Sequence, residues 1–241
     1  MATQDFLLSK KVKILQPING YRASTDAVIL SSIPESTTKE IKILDMGSGT
    51  GAVSLCLGHR IPSAKILGLE IQEELIELSN QSAELNGFEN RIEFINHNIK
   101  DKKIELHNCF DVCITNPPYS EVDMKSPKGY KATAHNFDGL GLKNWIDFGI
   151  RALKPKGKLY MVNRAEALSE ILATIYGRLG GIVVIPIYSK IGEDAKRIVV
   201  IASKDSKKAL VIDKGIVVHN EDGSYSDDAK RILENGIGYF E

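Results

Sequence analysis

The chain has 241 residues, 43% of them hydrophobic and 26% charged, which is enough apolar material for one sizeable core. Basic and acidic residues number 31 each, which excludes a global positive field, so any nucleic acid must bind to a local patch. Three cysteines without a CxxC pair argue against a disulfide framework and a metal site. The first 13 residues lack a signal-peptide core, and no apolar run is long enough to span a membrane. A cytoplasmic protein is therefore expected.

Residues 1–20 are predicted to be irregular, and residues 21–32 helical, with Ser24 or Thr25 as the N-cap. Strands and helices then alternate. Strands are predicted at 41–45, 65–70, 92–95, 110–115 and 158–162, and helices at 52–60, 72–86, 140–153 and 165–179. This alternation predicts right-handed crossovers and a mainly parallel sheet with helices on both faces.

The pattern changes after residue 180. Two strands, at 182–187 and 197–202, are separated only by a polar loop, which predicts an antiparallel pair at one sheet edge. A short strand at 215–219 and a helix at 226–234 complete the chain. No repeat or linker is visible. We therefore expect one domain, with an N-terminal segment at 1–40, a catalytic core at 41–202 and a C-terminal extension at 203–241.

A glycine-rich loop follows the first strand of the alternating region. Gly47, Gly49 and Gly51 follow Asp45-Met46 and open a helix, so backbone N–H groups can approach a ligand. The spacing is GxGxG, and so the dinucleotide fingerprint GxGxxG is not matched. Glu70 ends the second strand, where its carboxylate can accept both ribose hydroxyls of an adenosine group; a solvated strand end is the alternative. Asn98 follows the third strand, where its amide can contact an adenine edge.

The fourth strand ends in the tetrapeptide Asn116-Pro117-Pro118-Tyr119. Two successive prolines fix φ and remove two backbone donors, which leaves the Asn116 side-chain oxygen and the Pro117 carbonyl as acceptors on a stiff corner. Tyr119 adds an aromatic face. The tetrapeptide is typical of a site for a planar molecule with an NH2 group, although it can also be a simple turn.

Together, the glycine loop, Glu70 and the tetrapeptide resemble the class I S-adenosylmethionine-dependent methyltransferases, in the branch that methylates amino groups on planar systems. The resemblance implies a Rossmann-like α/β fold, with a mostly parallel seven-stranded sheet and an antiparallel C-terminal hairpin. It also implies S-adenosylmethionine as cofactor and no metal. The four tetrapeptide residues are the implied catalytic set.

A narrower resemblance, to the tRNA1(Val) adenine-N6 methyltransferase-like proteins, covers nearly the whole chain. Its motifs are Gln16-Pro17, Gly20-Tyr21-Arg22 and residues 24–28 at the start, and residues 180–182, 195–197, 218–219 and 222–223 near the end. In that group the N-terminal segment folds over the cofactor, which implies roles for Arg22, Thr25 and Asp26; capping of the first helix is the alternative. The full predicted cofactor set is Asp45, Gly47, Ser48, Gly49, Gly51, Glu70, Ile71, Asn98, Asn116, Arg22, Thr25 and Asp26.

A polar loop directly after the tetrapeptide carries the predicted substrate contacts. These are Tyr119, Lys125, Lys128, Lys131 and His135, groups that suit phosphate contact and stacking; a solvated lysine loop is the alternative. Lys10, Lys11 and Lys13 are a second basic group. The expected substrate is adenine N6 in tRNA, and the RNA position and oligomeric state stay open. Alternatives are a protein-glutamine N5 methyltransferase, a guanine-N2 methyltransferase of rRNA, a DNA-adenine methyltransferase and a catalytically idle scaffold.

Overall fold

The computed structural model describes residues 2–101, 106–118 and 141–241. Its strands are β1 (Ala2–Leu7), β2 (Val12–Pro17), β3 (Ile41–Met46), β4 (Ala64–Glu70), β5 (Ile92–Asn96), β6 (Phe110–Thr115), β7 (Leu153–Arg164), β8 (Leu179–Lys190), β9 (Arg197–Lys204), β10 (Val211–Ile212) and β11 (Ile216–His219). Its helices are α1 (Thr25–Ser32), α2 (Ala52–Arg60), α3 (Glu73–Leu85), α4 (Leu142–Ala152), α5 (Leu168–Ile175) and α6 (Asp227–Leu233), with a 3-10 turn at Ala165–Ala167 before α5.

The central sheet is mixed. In space its strands follow the order β10-β8-β9-β7-β6-β3-β4-β5, and β11 also pairs with β8. Strand β9 is antiparallel to both β7 and β8, whereas the other described pairings in this sheet are parallel. The antiparallel β8–β9 hairpin was expected. The expected count of seven strands was wrong, because β10 and β11 add two strands to the outer edge of β8 within the described residues.

Two hydrophobic cores lie on opposite faces of the sheet. One packs α1, α2 and α6 against alternate strand residues such as Ile43 and Ile114. The other packs α4 and α5 against Leu44 and Cys113, which are adjacent in sequence to Ile43 and Ile114. Successive strand residues point to opposite faces, so one short apolar run supplies both cores and fixes which residues reach the sheet edge.

Residues 2–17 are not irregular as expected, because β1 and β2 form an antiparallel hairpin. Its turn uses Leu8, Ser9 and Lys10 at φ of 50°, 51° and 73°. These residue types rarely adopt left-handed backbone conformations, and so the sequence carries no turn signal there. Leu8 is buried at 4% exposure, which indicates that packing of the turn compensates for the backbone cost.

The region around residues 153–157 also differs from the expectation of a helix end followed by a loop. Strand β7 begins at Leu153, and its pairing with β6 jumps from Phe110↔Leu153 to Val112↔Lys158. The extra residues form a bulge that accommodates Pro155 and the left-handed Lys156 (φ 65°). Proline and left-handed residues occur in strands mainly at bulges. Helix α5, in contrast, is shorter than expected and ends at Ile175.

The hairpin is attached to α3 by a small set of hydrogen bonds. Asn86 accepts a hydrogen bond from the Lys13 N–H at 2.9 Å and donates one to the Lys13 carbonyl at 2.7 Å. Ser82 Oγ accepts one from the Leu15 N–H at 2.8 Å. These bonds fix the chain that leads from β2 to α1.

Replacing Asn86 should loosen this attachment. Asn86→Ala removes the side-chain partner of the Lys13 N–H and C=O. Because Lys13 is exposed and water can replace that partner, we expect a loss of about 0.5–1.5 kcal/mol per hydrogen bond. Hydrogen exchange of the Lys13 and Leu15 amides should accelerate, whereas exchange in β3 should not. Asn90→Ala, at an exposed asparagine, is the matched control; equal exchange rates in both variants would contradict the prediction.

Candidate functional site

Three strand ends meet at the carboxyl edge of the sheet. Strand β3 lies between β4 and β6, and Met46 pairs with both Leu69 and Thr115. Neighbouring strands lie about 4.8 Å apart, so the next residues on the three strands, namely Gly47, Glu70 and Asn116, are neighbours. Thr115 is fully buried, and its Oγ1 donates a hydrogen bond of 2.8 Å to the Met46 carbonyl. That bond holds the ends of β3 and β6 together.

The glycine loop crosses this edge in a left-handed conformation. Gly47, Gly49 and Gly51 have φ of 71°, 55° and 81°. The Gly47 and Ser48 N–H groups both donate to the Leu69 carbonyl at 2.9 Å, which ties the loop to the end of β4. Positive φ is costly for residues with a Cβ, and so the loop requires glycine at these points.

Side chains also leave no room for a Cβ on these glycines. A Cβ on Gly47 would lie 2.6 Å from Trp145 Cη2, and one on Gly49 would lie 2.7 Å from Tyr21 Cε1. Trp145 belongs to α4 and Tyr21 precedes α1, so the loop is enclosed by chain from both sides. Neither aromatic residue was among the predicted site residues; the motif Gly20-Tyr21-Arg22 was the available signal for Tyr21.

Glu70 is buried at 6% exposure although it is a carboxylate. Its Oε2 accepts a hydrogen bond from the Gly49 N–H at 3.0 Å. Its Oε1 accepts from the backbone N–H groups of Ile71 and Gln72 at 2.9 and 3.0 Å. These donors orient the side chain, and since a carboxylate oxygen has two lone pairs, Oε2 retains acceptor capacity for a hydroxyl.

Asp45, at the end of β3, is hydrogen-bonded to the helix that follows the glycine loop. It is 1% exposed, and its Oδ2 accepts a hydrogen bond of 2.7 Å from Ser54 Oγ on α2. Burial raises the pKa of Asp45 to about 7; the Ser54 hydrogen bond acts in the opposite direction, and nearby Glu70 raises it further.

Two hydroxyl groups of the loop lack a protein partner. Ser48 Oγ and Thr50 Oγ1 are buried and make no hydrogen bond to any residue in the part of the chain that the structure describes. Buried polar groups are normally hydrogen-bonded. The loop therefore contains polar atoms that a ligand or water can satisfy.

The predicted N-terminal contacts are engaged with protein groups. Arg22 donates to Asp5 Oδ2 at 2.7 Å, to the Pro17 carbonyl at 3.0 Å and to Thr3 Oγ1 at 3.1 Å. Asp26 pairs with Arg197 Nε at 3.2 Å. Thr25 is exposed as the first residue of α1, and Ser24 occupies the N-cap position without a side-chain capping bond.

The predicted adenine contacts follow β4 and β5. Ile71 is 38% exposed directly after Glu70, so it offers an open apolar surface. Asn98 is exposed, and its Oδ1 accepts a hydrogen bond from the Lys100 N–H at 2.9 Å, which orients its amide group. His97, which was not predicted, is 4% exposed and stacks at a tilt on Phe148, 5.8 Å between ring centres.

The tetrapeptide continues from the end of β6 as expected. Asn116 is half-buried, Pro117 is buried and Pro118 is exposed. Tyr119 and the predicted substrate residues Lys125, Lys128, Lys131 and His135 lie outside the described residues. In the described residues, no group of three or more acidic, histidine or cysteine side chains is arranged to hold a metal ion. Within the same residues, no helix combines the length and hydrophobicity of a membrane span.

Residues 37–178, more than half of the chain, match a family described as "Methyltransferase domain". The chain belongs to this methyltransferase family. A curated relative from Pedobacter heparinus, named tRNA1(Val) (adenine(37)-N6)-methyltransferase, is 27% identical over 228 residues, which are 94% of this chain and 95% of that protein. A protein of the same name from Dyadobacter fermentans is 30% identical over 164 residues, 67% of each chain.

A solved structure supports the same assignment. A protein from Agrobacterium tumefaciens, described as a predicted O-methyltransferase, superposes with a TM-score of 0.74 and 26% identity over 88% of this chain and 97% of that one. The expectation of a Rossmann-like, S-adenosylmethionine-dependent methyltransferase is therefore confirmed.

The residues of the methyltransferase fit this cofactor chemically. S-adenosylmethionine carries a ribose diol, an adenine and a charged methionine end. The site offers an oriented carboxylate with acceptor capacity at Glu70, an exposed apolar side chain at Ile71 and unsatisfied hydroxyls at Ser48 and Thr50.

Gly49→Ala should impair cofactor binding beyond its effect on stability. Gly87→Ala is the matched control, because Gly87 has φ 70° with nothing within 4 Å of an added Cβ, whereas Gly49 has φ 55° and a contact at 2.7 Å. Both variants should lose about 1–2 kcal/mol of unfolding free energy to left-handed strain, and Gly49→Ala should lose more because its Cβ meets the Tyr21 ring. Only Gly49→Ala should weaken S-adenosylmethionine binding in calorimetry, by about tenfold or more. Equal affinities in the two variants would contradict this account.

Stability should depend on the protonation of Asp45. Its folded-state pKa of about 7 exceeds the ordinary value of 3.8, so the native chain holds a proton that the unfolded chain releases. The binding of this proton contributes at most about 4 kcal/mol to the free energy of unfolding. That stabilisation is fully present below about pH 4 and is lost as the pH rises through about 7. Asp45→Asn keeps an acceptor for Ser54 and removes the titration.

The measurement is urea unfolding of both proteins from about pH 4 to about pH 8. The stability of wild type minus that of Asp45→Asn should fall as the pH rises, and the subtraction removes the contribution of the other titrating groups. A difference that stays constant with pH, or that grows, is inconsistent with a buried carboxyl group of raised pKa.

Proposed function

We propose that the chain transfers a methyl group from S-adenosylmethionine to an exocyclic amine of a nucleobase, namely adenine N6 in tRNA. The observation that carries this proposal is the position of Asn116 beside the glycine loop, with the ends of β3 and β6 joined by the Thr115–Met46 hydrogen bond. A cofactor on the loop and an amine at Asn116 would then be neighbours.

The chemistry of the tetrapeptide supports an amine as the methyl acceptor. An NH2 group presents two hydrogens, and the corner offers two acceptors, Asn116 Oδ1 and the Pro117 carbonyl. A hydroxyl substrate, as the name of the Agrobacterium protein implies for that protein, presents one hydrogen and requires a base. The names of the two curated relatives support adenine N6 of tRNA as the substrate.

The proposed cofactor contacts come from residues at the same carboxyl edge of the sheet. Glu70 would accept the ribose hydroxyls, Asn98 and Ile71 would contact the adenine, and the loop from Gly47 to Gly51 would face the methionine end. Asp45 would act indirectly, by holding the loop through Ser54. Arg22, Thr25 and Asp26 belong to the segment that would cover the cofactor, in which Arg22 and Asp26 fix the chain through Asp5 and Arg197.

Bound S-adenosylmethionine supplies an electrophilic methyl group on a sulfonium. The residues of the chain position the amine nitrogen, which is the nucleophile. Asn116 Oδ1 and the Pro117 carbonyl accept the amine hydrogens, which favours a pyramidal nitrogen whose lone pair is free to attack. The same oxygens stabilise the positive charge that develops on nitrogen before a proton leaves to solvent. The proline rings limit movement of both acceptors, and such alignment can contribute several kcal/mol.

The predicted substrate contacts at Tyr119, Lys125, Lys128, Lys131 and His135 remain part of this proposal. An unpaired base would stack on Tyr119, worth roughly 1–3 kcal/mol, and the cations would contact phosphates. A contribution of Lys10, Lys11 and Lys13 to RNA binding stays a prediction. Lys11 lies near His59 in the last turn of α2 and donates to the Asn235 carbonyl at 2.7 Å. The glycine loop lies at the opposite end of that helix.

Asn116→Ala should remove methyl transfer and retain the cofactor. Loss of one preorganised polar contact to the reacting group costs about 100-fold or more in kcat, whereas S-adenosylmethionine affinity should change less than about twofold. The assay is radiolabelled methyl transfer to total tRNA, rRNA, DNA and release factors, with nuclease and protease controls. Mass spectrometry of nucleosides then identifies the product.

The control is Asn90→Ala. Asn90 is exposed and precedes β5, so it lies at the amino ends of the parallel strands, opposite to the candidate site. It should keep the wild-type rate. Wild-type turnover in Asn116→Ala would contradict the mechanism. Label that resists nuclease and is released by protease would instead show a glutamine methyltransferase, and N2-methylguanine in rRNA would show the guanine alternative.

A further inference from the structure

Tyr21 lies against the glycine loop and is also accessible to solvent. A Cβ on Gly49 would lie 2.7 Å from Cε1 and 3.1 Å from Cδ1 of Tyr21, so the ring borders the glycine loop. The residue is nevertheless 40% exposed. The ring therefore combines contact with the loop and access to solvent.

Hydrogen bonds restrain the chain directly after Tyr21. Arg22, the next residue, is bound to Asp5 and to the Pro17 carbonyl. The Ala23 N–H donates to Gln16 Oε1 at 2.7 Å, and Gln16 Nε2 in turn donates to Asp5 Oδ2 at 3.0 Å. The two residues that follow Tyr21 are therefore anchored to the β1–β2 hairpin, which restrains the backbone at Tyr21 beside the glycine loop.

Three carboxyl groups act electrostatically on the tyrosine hydroxyl. Although the residue as a whole is 40% exposed, burial at its hydroxyl end, followed by the negative charges of Asp45, Asp26 and Glu70, raises the pKa of Tyr21 to about 12, so the hydroxyl stays protonated. Arg197 offsets part of the Asp26 charge through its ion pair. Glu70 also binds the N–H of Gly49, the residue that the ring borders. The tyrosine ring and the Glu70 carboxylate thus both lie against Gly49.

The two forms of the cofactor differ in charge at the sulfur. The donor carries a sulfonium cation, and the product S-adenosylhomocysteine carries a neutral thioether. The sulfur is one methylene away from the ribose, and in the proposed site Glu70 accepts the ribose hydroxyls. A cation near an aromatic face and carboxylates is stabilised by both, whereas the thioether gains only packing.

We propose that Tyr21 discriminates between the charged methyl donor and the neutral product, and so raises the affinity for S-adenosylmethionine relative to S-adenosylhomocysteine. This inference rests on the cofactor part of the proposed function and not on the RNA substrate. Its consequence is easier release of the product after each turnover.

Calorimetric binding of both ligands to the full chain, without RNA, tests the proposal. In Tyr21→Leu the ratio of donor affinity to product affinity should fall by about fivefold or more, the range expected for a cation near an aromatic ring. Tyr21→Phe keeps the ring and should keep the wild-type ratio. Tyr176→Leu is the matched control, because Tyr176 is 85% exposed and lies at the end of α5; it should change neither affinity.

Each other outcome is decisive. Equal loss of both affinities in Tyr21→Leu, with an unchanged unfolding temperature, would show a packing role and overturn the proposal. An unchanged ratio in Tyr21→Leu, or a fallen ratio in Tyr21→Phe, would also overturn it. A wild-type chain that binds neither ligand would refute the cofactor site itself, whereas failure to methylate tRNA would leave this binding result standing.

Discussion

The parallel register of β4, β3 and β6 is the constraint on which the site depends. Met46 pairs with Leu69 on one side and Thr115 on the other, and the buried Thr115–Met46 hydrogen bond fixes the second pairing. A slip by one residue would turn each side chain of β6 to the opposite face and exchange the two cores. The packing that stabilises the fold therefore also keeps Asn116 beside the glycine loop.

Burial of two carboxyl groups at the site is unfavourable, and nearby hydrogen-bond donors offset this cost. Asp45 and Glu70 are both nearly inaccessible to water, and burial of carboxylates is unfavourable unless they are hydrogen-bonded. Ser54 stabilises the first, and three backbone N–H groups stabilise the second. The result is a Glu70 carboxylate held beside the glycine loop, and an Asp45 whose ionisation lowers stability as the pH rises through its pKa.

Local patterns predicted the parts of the site that lie on single strand ends. The strand 110–115 is as expected, since an apolar run that ends in two prolines leaves little ambiguity. The contact between Tyr21 and Gly49 could not be predicted, because it joins segments that meet only after the sheet has formed. The β1–β2 hairpin was missed for a local reason: its turn has Leu8, Ser9 and Lys10 where glycine or asparagine is typical.

A crystal structure of the chain with S-adenosylhomocysteine tests most directly whether the cofactor binds on the glycine loop beside Asn116. The account predicts ribose hydroxyls within hydrogen-bond distance of Glu70, and the sulfur on the side of the glycine loop that faces Asn116, with Asn116 Oδ1 turned toward it. A ligand that binds away from this edge, or packed side chains that separate the sulfur from Asn116, would contradict it.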